Sequence, residues 1–178
     1  MSGIGVSPGY AIGRVHLVDR RKLRIPRRRL EAGEIEAEVQ RLMAAIDTSE
    51  EQIQSLRDKL ERAGEEHYLI LEAHQLMIRD EMLVDGTCQL IRNQQLNAEW
   101  ALQKALRGIK RVFDNIEDEY FRERRSDVDF VGDRLTRNLM GEAQPSLSTV
   151  KAGEIVVGHD LAPSDTTFLM QANIAGFI

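Results

Sequence analysis

Four histidines are the residues of this 178-residue chain best suited to chemistry, and their spacing limits what they can do. His67 and His74 lie seven residues apart in a helical pattern, which corresponds to a rise of roughly 10 Å. Two side chains at that separation cannot share one metal ion unaided. The sequence has no glycine-rich phosphate loop before a helix and no nucleophile elbow. We therefore expect no self-sufficient active site, and either a solvated or a partner-facing role for His74.

The segment from 65 to 83 carries more apolar residues than one buried helix face requires. Two lines of them can pack inside a bundle: Leu69, Leu76 and Leu83, and beside these Leu71 and Ile78. That packing leaves Ile70 and Met77 outside, on a seam that also holds His74, and Leu83 can lie outside with them. Four acids rim this seam: Glu65, Glu66, Asp80 and Glu81. An apolar strip with an acidic rim predicts a protein-docking surface; the alternative is a helix buried on most sides.

Residues 30–141 have the periodicity of a helical domain. The apolar positions of the first part follow heptad spacing with a polar gap at Ser49; they are Ile35, Val39, Leu42, Ile46, Ile53, Leu56 and Leu60. The pattern predicts a helix over 31–62, roughly 45 Å long. Further helices are predicted over 65–80, 82–92, 97–116 (capped by Asn97) and 127–140 (closed by Gly141). We expect four antiparallel helices in an internal bundle; a dimeric coiled coil is the alternative.

Both ends of the chain have strand character. In residues 11–18 we expect Ile12, Val15 and Leu17 on the buried side, and residues 153–158 form a second short strand. A helix capped by Ser164 and a strand over 173–178 follow. The predicted fold is α+β and mainly α, with a four-helix bundle (30–141) inserted into a partial α/β domain (1–29 and 142–178). Because the chain stops inside a strand, we expect it to be a fragment of a longer protein.

Composition and charge exclude several classes of protein. Cys88 is the only cysteine, the N-terminus lacks the pattern of a signal peptide, and no apolar stretch reaches membrane-spanning length, so a cytoplasmic protein is expected. Residues 31–72 hold twelve acids and four bases, which disfavours nucleic acid and suits a basic protein partner. Ordinary solvation of helix faces is the alternative. Residues 20–29, in contrast, hold seven bases and no acid.

Four motifs in order resemble one family. Residues 4–13 (IGVSPGYAIG) resemble the opening of enzyme I of the bacterial phosphoenolpyruvate:sugar phosphotransferase system. Residues 72–81 (EAHQLMIRDE), 118–128 (DEYFRERRSDV) and 160–166 (DLAPSDT) resemble its later motifs. The resemblance implies an α/β phosphohistidine domain with an inserted helical bundle.

The resemblance also implies a reaction. The complete enzyme takes phosphoryl from phosphoenolpyruvate, with Mg²⁺, onto a histidine, and passes it to the histidine phosphocarrier protein HPr docked on the bundle. In the family that histidine follows the strand matching residues 175–178, so it lies beyond Ile178. The fragment is then expected to be an inactive monomer that docks the carrier, and the full-length enzyme a homodimer. No metal or cofactor is expected in the fragment itself.

Site residues follow from the matched motifs. The carrier-docking residues implied are Glu65, Glu66, Ile70, His74, Met77, Asp80, Glu81 and Leu83, with Tyr120, Phe121 and Arg124. Thr166 matches a position that supports the active histidine, and helix capping is its alternative role. Arg79 and Met82 stand where relatives often have acids, and Gln75 occupies a usually apolar position, so the choice of carrier stays open. Rival hypotheses are a nitrogen-regulatory or dihydroxyacetone-kinase-linked paralogue, and a non-enzymatic helical scaffold.

Overall fold

Five helices and three short strands make up the part of the chain that the computed structural model describes, which is residues 9–18, 23–62, 68–114, 125–144, 147, 149–158, 169 and 172–178. The helices are α1 (Ile35–Arg62, after a 3₁₀ turn at Ala32–Glu34), α2 (Tyr68–Ile78), α3 (Glu81–Gln94), α4 (Ala98–Asp114) and α5 (Arg125–Met140). The strands are β1 (Val15–Val18), β2 (Ile155–Gly158) and β3 (Gly176–Phe177). Two compact units result: Leu23–Gln144, and Met1–Lys22 with Pro145–Ile178.

The heptad seam of α1 is the centre of the helical unit. Its positions Leu42, Ile46, Ile53 and Leu60 are almost wholly buried, and they join one apolar core with residues of α2, α3, α4 and α5. Burial of such side chains contributes roughly 1.5–3 kcal/mol each. Because the chain's own helices cover the seam, the prediction of an internal bundle is confirmed and no second copy is needed to bury it.

Ser49, the polar gap in the seam, is buried but fully bonded. Its hydroxyl donates to the carbonyl oxygen of Ala45 at 2.7 Å and accepts from Asn138 Nδ2 at 2.7 Å. Asn138 lies on α5, so the gap becomes a polar link between two helices. Satisfying a buried hydroxyl in this way removes the cost of its desolvation.

The N-terminus of α4 is capped by a residue that is distant in sequence. Asn97 was expected to cap this helix, but its side chain turns to the segment before α1: Oδ1 accepts from the backbone N–H of Arg28 at 3.0 Å, and Nδ2 donates to the carbonyl of Pro26 at 3.1 Å. Glu38 of α1 instead accepts from the backbone N–H of Ala98 at 2.6 Å. The free backbone N–H groups at the start of a helix can donate to an amide oxygen or to a carboxylate oxygen. A carboxylate also interacts favourably with the helix dipole through its negative charge.

A buried charge cluster surrounds that cap. The guanidinium of Arg41 donates to both carboxylate oxygens of Glu99 (2.9 and 2.7 Å), to both of Glu38 (2.7 and 3.2 Å) and to the carbonyl of Leu139 (2.8 Å). Burial acts to raise the pKa of Glu99, but the hydrogen bond from Arg41 outweighs it together with smaller contributions, so the pKa lies below its ordinary value. The cluster ties α1, α4 and α5 together at one end of the bundle.

Helices α4 and α5 pack tightly against each other at Gly132. A Cβ atom built on this residue would lie 2.6 Å from Cδ1 of Leu106, which is too close for any real contact. We expect Gly132→Ala to lower the free energy of unfolding by about 1 kcal/mol, because Leu106 must move within a packed core. Gly108→Ala on α4 is the matched control, since nothing lies within 4 Å of its Cβ position, and a gain of about 0.5–1 kcal/mol is expected. Urea unfolding of both variants measures this; equal effects would contradict the close approach.

The two ends of the chain form one parallel sheet in the order β1-β2-β3. Val15 pairs with Ile155 and Val18 with Gly158, although the whole helical unit lies between them in sequence. Strand β3 pairs with β2 through Gly176 and Phe177. The helical bundle is therefore an insertion between two neighbouring strands of an α/β unit, which confirms the α+β, mainly α, fold predicted above.

The predicted orientation of β1 is wrong. Ile12, Val15 and Leu17 are exposed, whereas Val18 is buried with Leu147, Val156 and Leu169 in a second small core. Since side chains alternate across a strand, choosing the wrong parity moves every residue to the other face. The helix predicted from Ser164 lies outside the described residues, apart from Leu169, which is helical. Among the helices described, none combines the length and the apolar character needed to cross a membrane.

Candidate functional site

The orientation of α2 is set by its inner line. Leu71, His74 and Ile78 are buried, and their spacings of three and four residues place them on one side of the helix. Ile70 and Met77 lie beside this line, half-buried and packed against the bundle core. The side of α2 directly opposite the core is consequently left to Glu72 and Leu76.

One flank of α2 is closed by polar contacts with α1. Gln75 Nε2 donates to Gln54 Oε1 at 2.8 Å. Arg79 reaches back to α1, where its Nη2 lies 2.6 Å from Glu50 Oε2 and 2.7 Å from Asp47 Oδ1. These hydrogen bonds, the one to Glu50 first, raise the pKa of the Arg79 guanidinium. The positive charge of Arg79 is thus held by the acids of α1, so it does not face Asp80 and Glu81.

Among the residues of α2 and the start of α3 whose side chains are described, Leu76 and Met82 are the exposed large apolar ones. Leu76 is 76% exposed and Met82 is 60% exposed, on helices α2 and α3. The sequence pattern placed Leu76 on an inner line, and that prediction is wrong, because the inner line runs through Leu71, His74 and Ile78. We use the name apolar patch for these two residues and the half-buried Ile70 and Met77, that is, for Ile70, Leu76, Met77 and Met82.

Two acids mark the break between α2 and α3. Asp80 stands at the N-cap of α3, where its Oδ1 accepts from the backbone N–H of Met82 at 2.9 Å. Glu81 follows in the first turn, and both side chains are exposed. Caps and first-turn acids stabilise a helix through its unpaired N–H groups and its dipole. The same two residues therefore fix the helix break and place negative charge beside Met82.

His74 lies inside the bundle, although the sequence pattern placed it on the outer seam. It is 5% exposed, and its Nε2 atom lies 3.4 Å from Oδ1 of the buried Asp127 on α5. Leu83 is buried as well, on the inner side of α3. His74 is buried because it lies on the same side of α2 as Leu71 and Ile78. Leu83 belongs to a new helix that begins after Asp80, so the side it presents to the core cannot be extrapolated from the residues of α2. Both residues therefore belong to the interior of the bundle and not to its exposed surface.

Several expected site residues lie outside the described residues: Glu65, Glu66, Tyr120, Phe121, Arg124 and Thr166. Their roles stay predictions. Within the described ranges, no three His, Cys, Asp or Glu side chains are placed to hold a metal ion. The sequence signal that could have found Leu76 and Met82 is the Asp80 cap, since an N-cap in the middle of an apolar run shows that one helix ends and another begins.

The apolar patch can bind but not react. It offers two flexible thioethers and two branched aliphatic side chains, with two carboxylates at its edge, and these groups suit a protein surface carrying apolar and basic groups. Its described residues include no nucleophile beside a base. The chemistry of such a site is recognition.

Comparisons with known proteins identify the family. The family model described as PEP-utilising enzyme, N-terminal, matches residues 2–124. A phosphoenolpyruvate-protein phosphotransferase of Cupriavidus necator is 37% identical over all of this chain, which spans 32% of that protein. The corresponding protein of Haemophilus influenzae is 31% identical, and the chain spans 31% of it. The chain thus spans about a third of the length of these relatives.

A solved structure agrees with the sequence matches. The solution NMR structure of an Enzyme I protein is 31% identical in sequence and superposes with a TM-score of 0.83. The match covers 96% of this chain and 69% of that one. The chain therefore belongs to the family of PEP-utilising enzymes and carries the N-terminal region of that family.

Proposed function

We propose that this chain is the part of a phosphoenolpyruvate-protein phosphotransferase that docks a histidine phosphocarrier protein of the HPr type. In the whole cytoplasmic enzyme, phosphoryl passes from phosphoenolpyruvate to an enzyme histidine beyond Ile178 and then to the carrier. The observation that supports docking is the apolar patch, where Leu76 and Met82 stand exposed beside Asp80 and Glu81. The relatives named above carry the same activity in their names.

The charges around the patch favour a basic partner. Asp80 and Glu81 are exposed and lie next to Met82, while the nearest described cation, Arg79, is held by Glu50 and Asp47 of α1. Carboxylates at the rim attract a basic partner and raise its association rate, and the apolar centre supplies most of the affinity. Glu65 and Glu66 are proposed to extend this rim, and Tyr120, Phe121 and Arg124 to complete the contact surface.

The buried members of the proposed set act indirectly. His74 and Leu83 have almost no accessible surface, so we assign them to holding α2 and α3 in place, through Asp127 and the core. Thr166 is proposed to position the active histidine by a hydrogen bond. The Mg²⁺ that the resemblance implies for the whole enzyme finds no fitting ligand set among the described residues, and no step here depends on it.

Phosphoryl transfer itself then needs little from this chain beyond positioning. Transfer between two histidines is close to energetically neutral, so holding donor and acceptor together supplies most of the rate enhancement. The chain is accordingly expected to bind the carrier and to transfer nothing alone. The rival hypothesis of a helical scaffold that dimerises through α1 is disfavoured because the seam of α1 is already buried within the bundle.

Titration of a ¹⁵N-labelled histidine phosphocarrier with this chain tests the proposal. We expect saturable shift changes on one basic face of the carrier, with an apparent affinity that falls as salt is raised, because rim charges are screened. Parallel titrations with a sugar-system carrier and a nitrogen-regulatory carrier decide between those pathways. No shift changes with either carrier at millimolar protein would overturn docking.

A further inference from the structure

A second feature of the helical unit has no part in docking. A cavity of about 640 Å³ lies between the segment preceding α1 and helix α4, and it is lined by Leu23, Arg24, Ile25, Pro26, Arg27 and Gln103. No carboxylate is among these lining residues. The cavity is open to solvent on one side, and its lining is mainly polar.

The cavity wall formed by residues 23–27 is connected to the helical unit by hydrogen bonds at Pro26 and at the residues that directly follow the wall. The carbonyl of Pro26 accepts from Asn97 Nδ2 at 3.1 Å, and the backbone of Arg28 bonds to Asn97 at both its N–H and its carbonyl. Leu30 N–H donates to the carbonyl of Gln95 at 2.7 Å. These bonds fix the backbone that directly follows Arg24 and Arg27, so this part of the wall keeps its position relative to α4.

The two arginines of the cavity differ from most others in the bundle. Arg28, Arg79 and Arg92 each pair with acids on neighbouring elements. Arg24 and Arg27 make no hydrogen bond or ion pair with any residue in the described part of the chain, and both are exposed. Two guanidinium groups are therefore left to bind something other than the protein itself.

Gln103 adds a third donor to the same cavity. Its carbonyl oxygen Oε1 accepts from Nη2 of Arg107 at 3.5 Å. The side-chain NH₂ group makes no hydrogen bond within the described part of the chain and is available to donate. The polar side chains of the cavity thus present donors and positive charge, the combination that suits an oxyanion.

We propose that this cavity binds the phosphate group of a small molecule. Planar guanidinium groups bind phosphate oxygens through paired hydrogen bonds, and the amide of Gln103 can serve a third oxygen. The volume exceeds that of phosphate alone, which leaves room over Leu23 and Ile25 for the rest of a phosphorylated metabolite. The site would also give a function to the basic run at residues 20–29, which docking of a basic carrier does not use.

Titration of the 178-residue chain with inorganic phosphate tests this proposal, with ionic strength held constant by sodium chloride. The readout is the arginine Nε–Hε region of the ¹H–¹⁵N spectrum. We expect saturable shifts of the Arg24 and Arg27 signals, and an affinity about tenfold weaker in Arg24→Gln and in Arg27→Gln.

Arg62→Gln is the matched control, because Arg62 is also exposed but lies at the end of α1 among acidic residues. It should bind phosphate as the unmodified chain does. Acetate replaces phosphate in a second arm, where tighter binding would overturn the phosphate assignment. Linear shifts of equal size in all four proteins would show only general ion attraction and would overturn the site. The carrier titration described above tests docking alone, so its result does not depend on the result of the phosphate titration.

Discussion

Replacing Arg41 by Met is expected to lower the free energy of unfolding by about 3 kcal/mol. The substitution leaves the carboxylates of Glu38 and Glu99 in a buried position without their cation, and losing one partner of a buried ion pair costs roughly 3–5 kcal/mol. The lower end of that range applies because the Arg41 side chain is 38% exposed and water screens part of the change. Urea unfolding followed by circular dichroism measures it.

Arg92→Met is the matched control for this prediction. Arg92 pairs with Glu36 on the surface, with both side chains about half exposed or more, so its removal should change the stability by less than about 1 kcal/mol. Adding Glu99→Gln to Arg41→Met should recover part of the loss, because it removes the unpaired charge. Equal losses for Arg41→Met and Arg92→Met would show that the cluster is no stronger than a surface pair.

The same cluster predicts how stability depends on pH. Glu99 has a lowered pKa in the folded chain, so its contribution is complete above the ordinary glutamate pKa and is lost as the pH falls through the folded value. In Arg41→Met the hydrogen bond and the charge of Arg41 are gone, and only the backbone hydrogen bond at Glu99 and the one from Asn97 still oppose burial, so the pKa of Glu99 is higher than in the unmodified chain. Protonation of Glu99 then costs the variant less stability than it costs the unmodified chain, so the stability difference between the two proteins should narrow at acidic pH. A constant difference from pH 7 to pH 4 would contradict this account.

The sequence predicted the elements of the fold well because helix and strand periodicity are local properties. The heptad positions of α1 and the line Val128, Val131, Leu135 and Leu139 of α5 are all buried or half-buried as expected. Long-range pairing was not predictable in the same way. Arg41 and Glu99 are 58 residues apart, and nothing in either helix alone shows that they meet. The cap of α4 by Glu38 was missed for the same reason.

The candidate site was predicted only in outline. The segment was correctly recognised as having more apolar residues than the core can take, and Asp80 and Glu81 are exposed as expected. The prediction had Leu76 inside and His74 outside, and the structure shows the reverse. Each helical residue turns the chain by about 100°, so an error of one or two positions in choosing the buried line reverses inside and outside. The prediction also placed Leu76 and Leu83 on one side of a single helix. They lie on two helices, because α2 ends before Asp80 and α3 begins after it.

Replacing Leu76 by Ser is expected to weaken carrier binding by about 2 kcal/mol, or roughly thirtyfold in Kd, without changing the fold. Leu76 is largely exposed, so its removal costs little stability, but under the proposed function it would be buried at the centre of the complex. Serine is preferred to aspartate because a new negative charge would itself attract a basic carrier. Isothermal titration with the phosphocarrier measures the change.

Two controls decide whether the loss belongs to the apolar patch. Ile12→Ser removes an even more exposed apolar side chain in the α/β unit and should leave the Kd unchanged, whereas Leu76→Met should retain most of the affinity because it preserves the apolar area. Glu81→Gln should mainly slow association and reduce the salt dependence, since a rim charge steers the encounter rather than holding the complex. If Leu76→Ser binds as tightly as the unmodified chain while Glu81→Gln does not, the carrier is held by the charge of Glu81 and not by the apolar patch, and Leu76 is exposed for another reason.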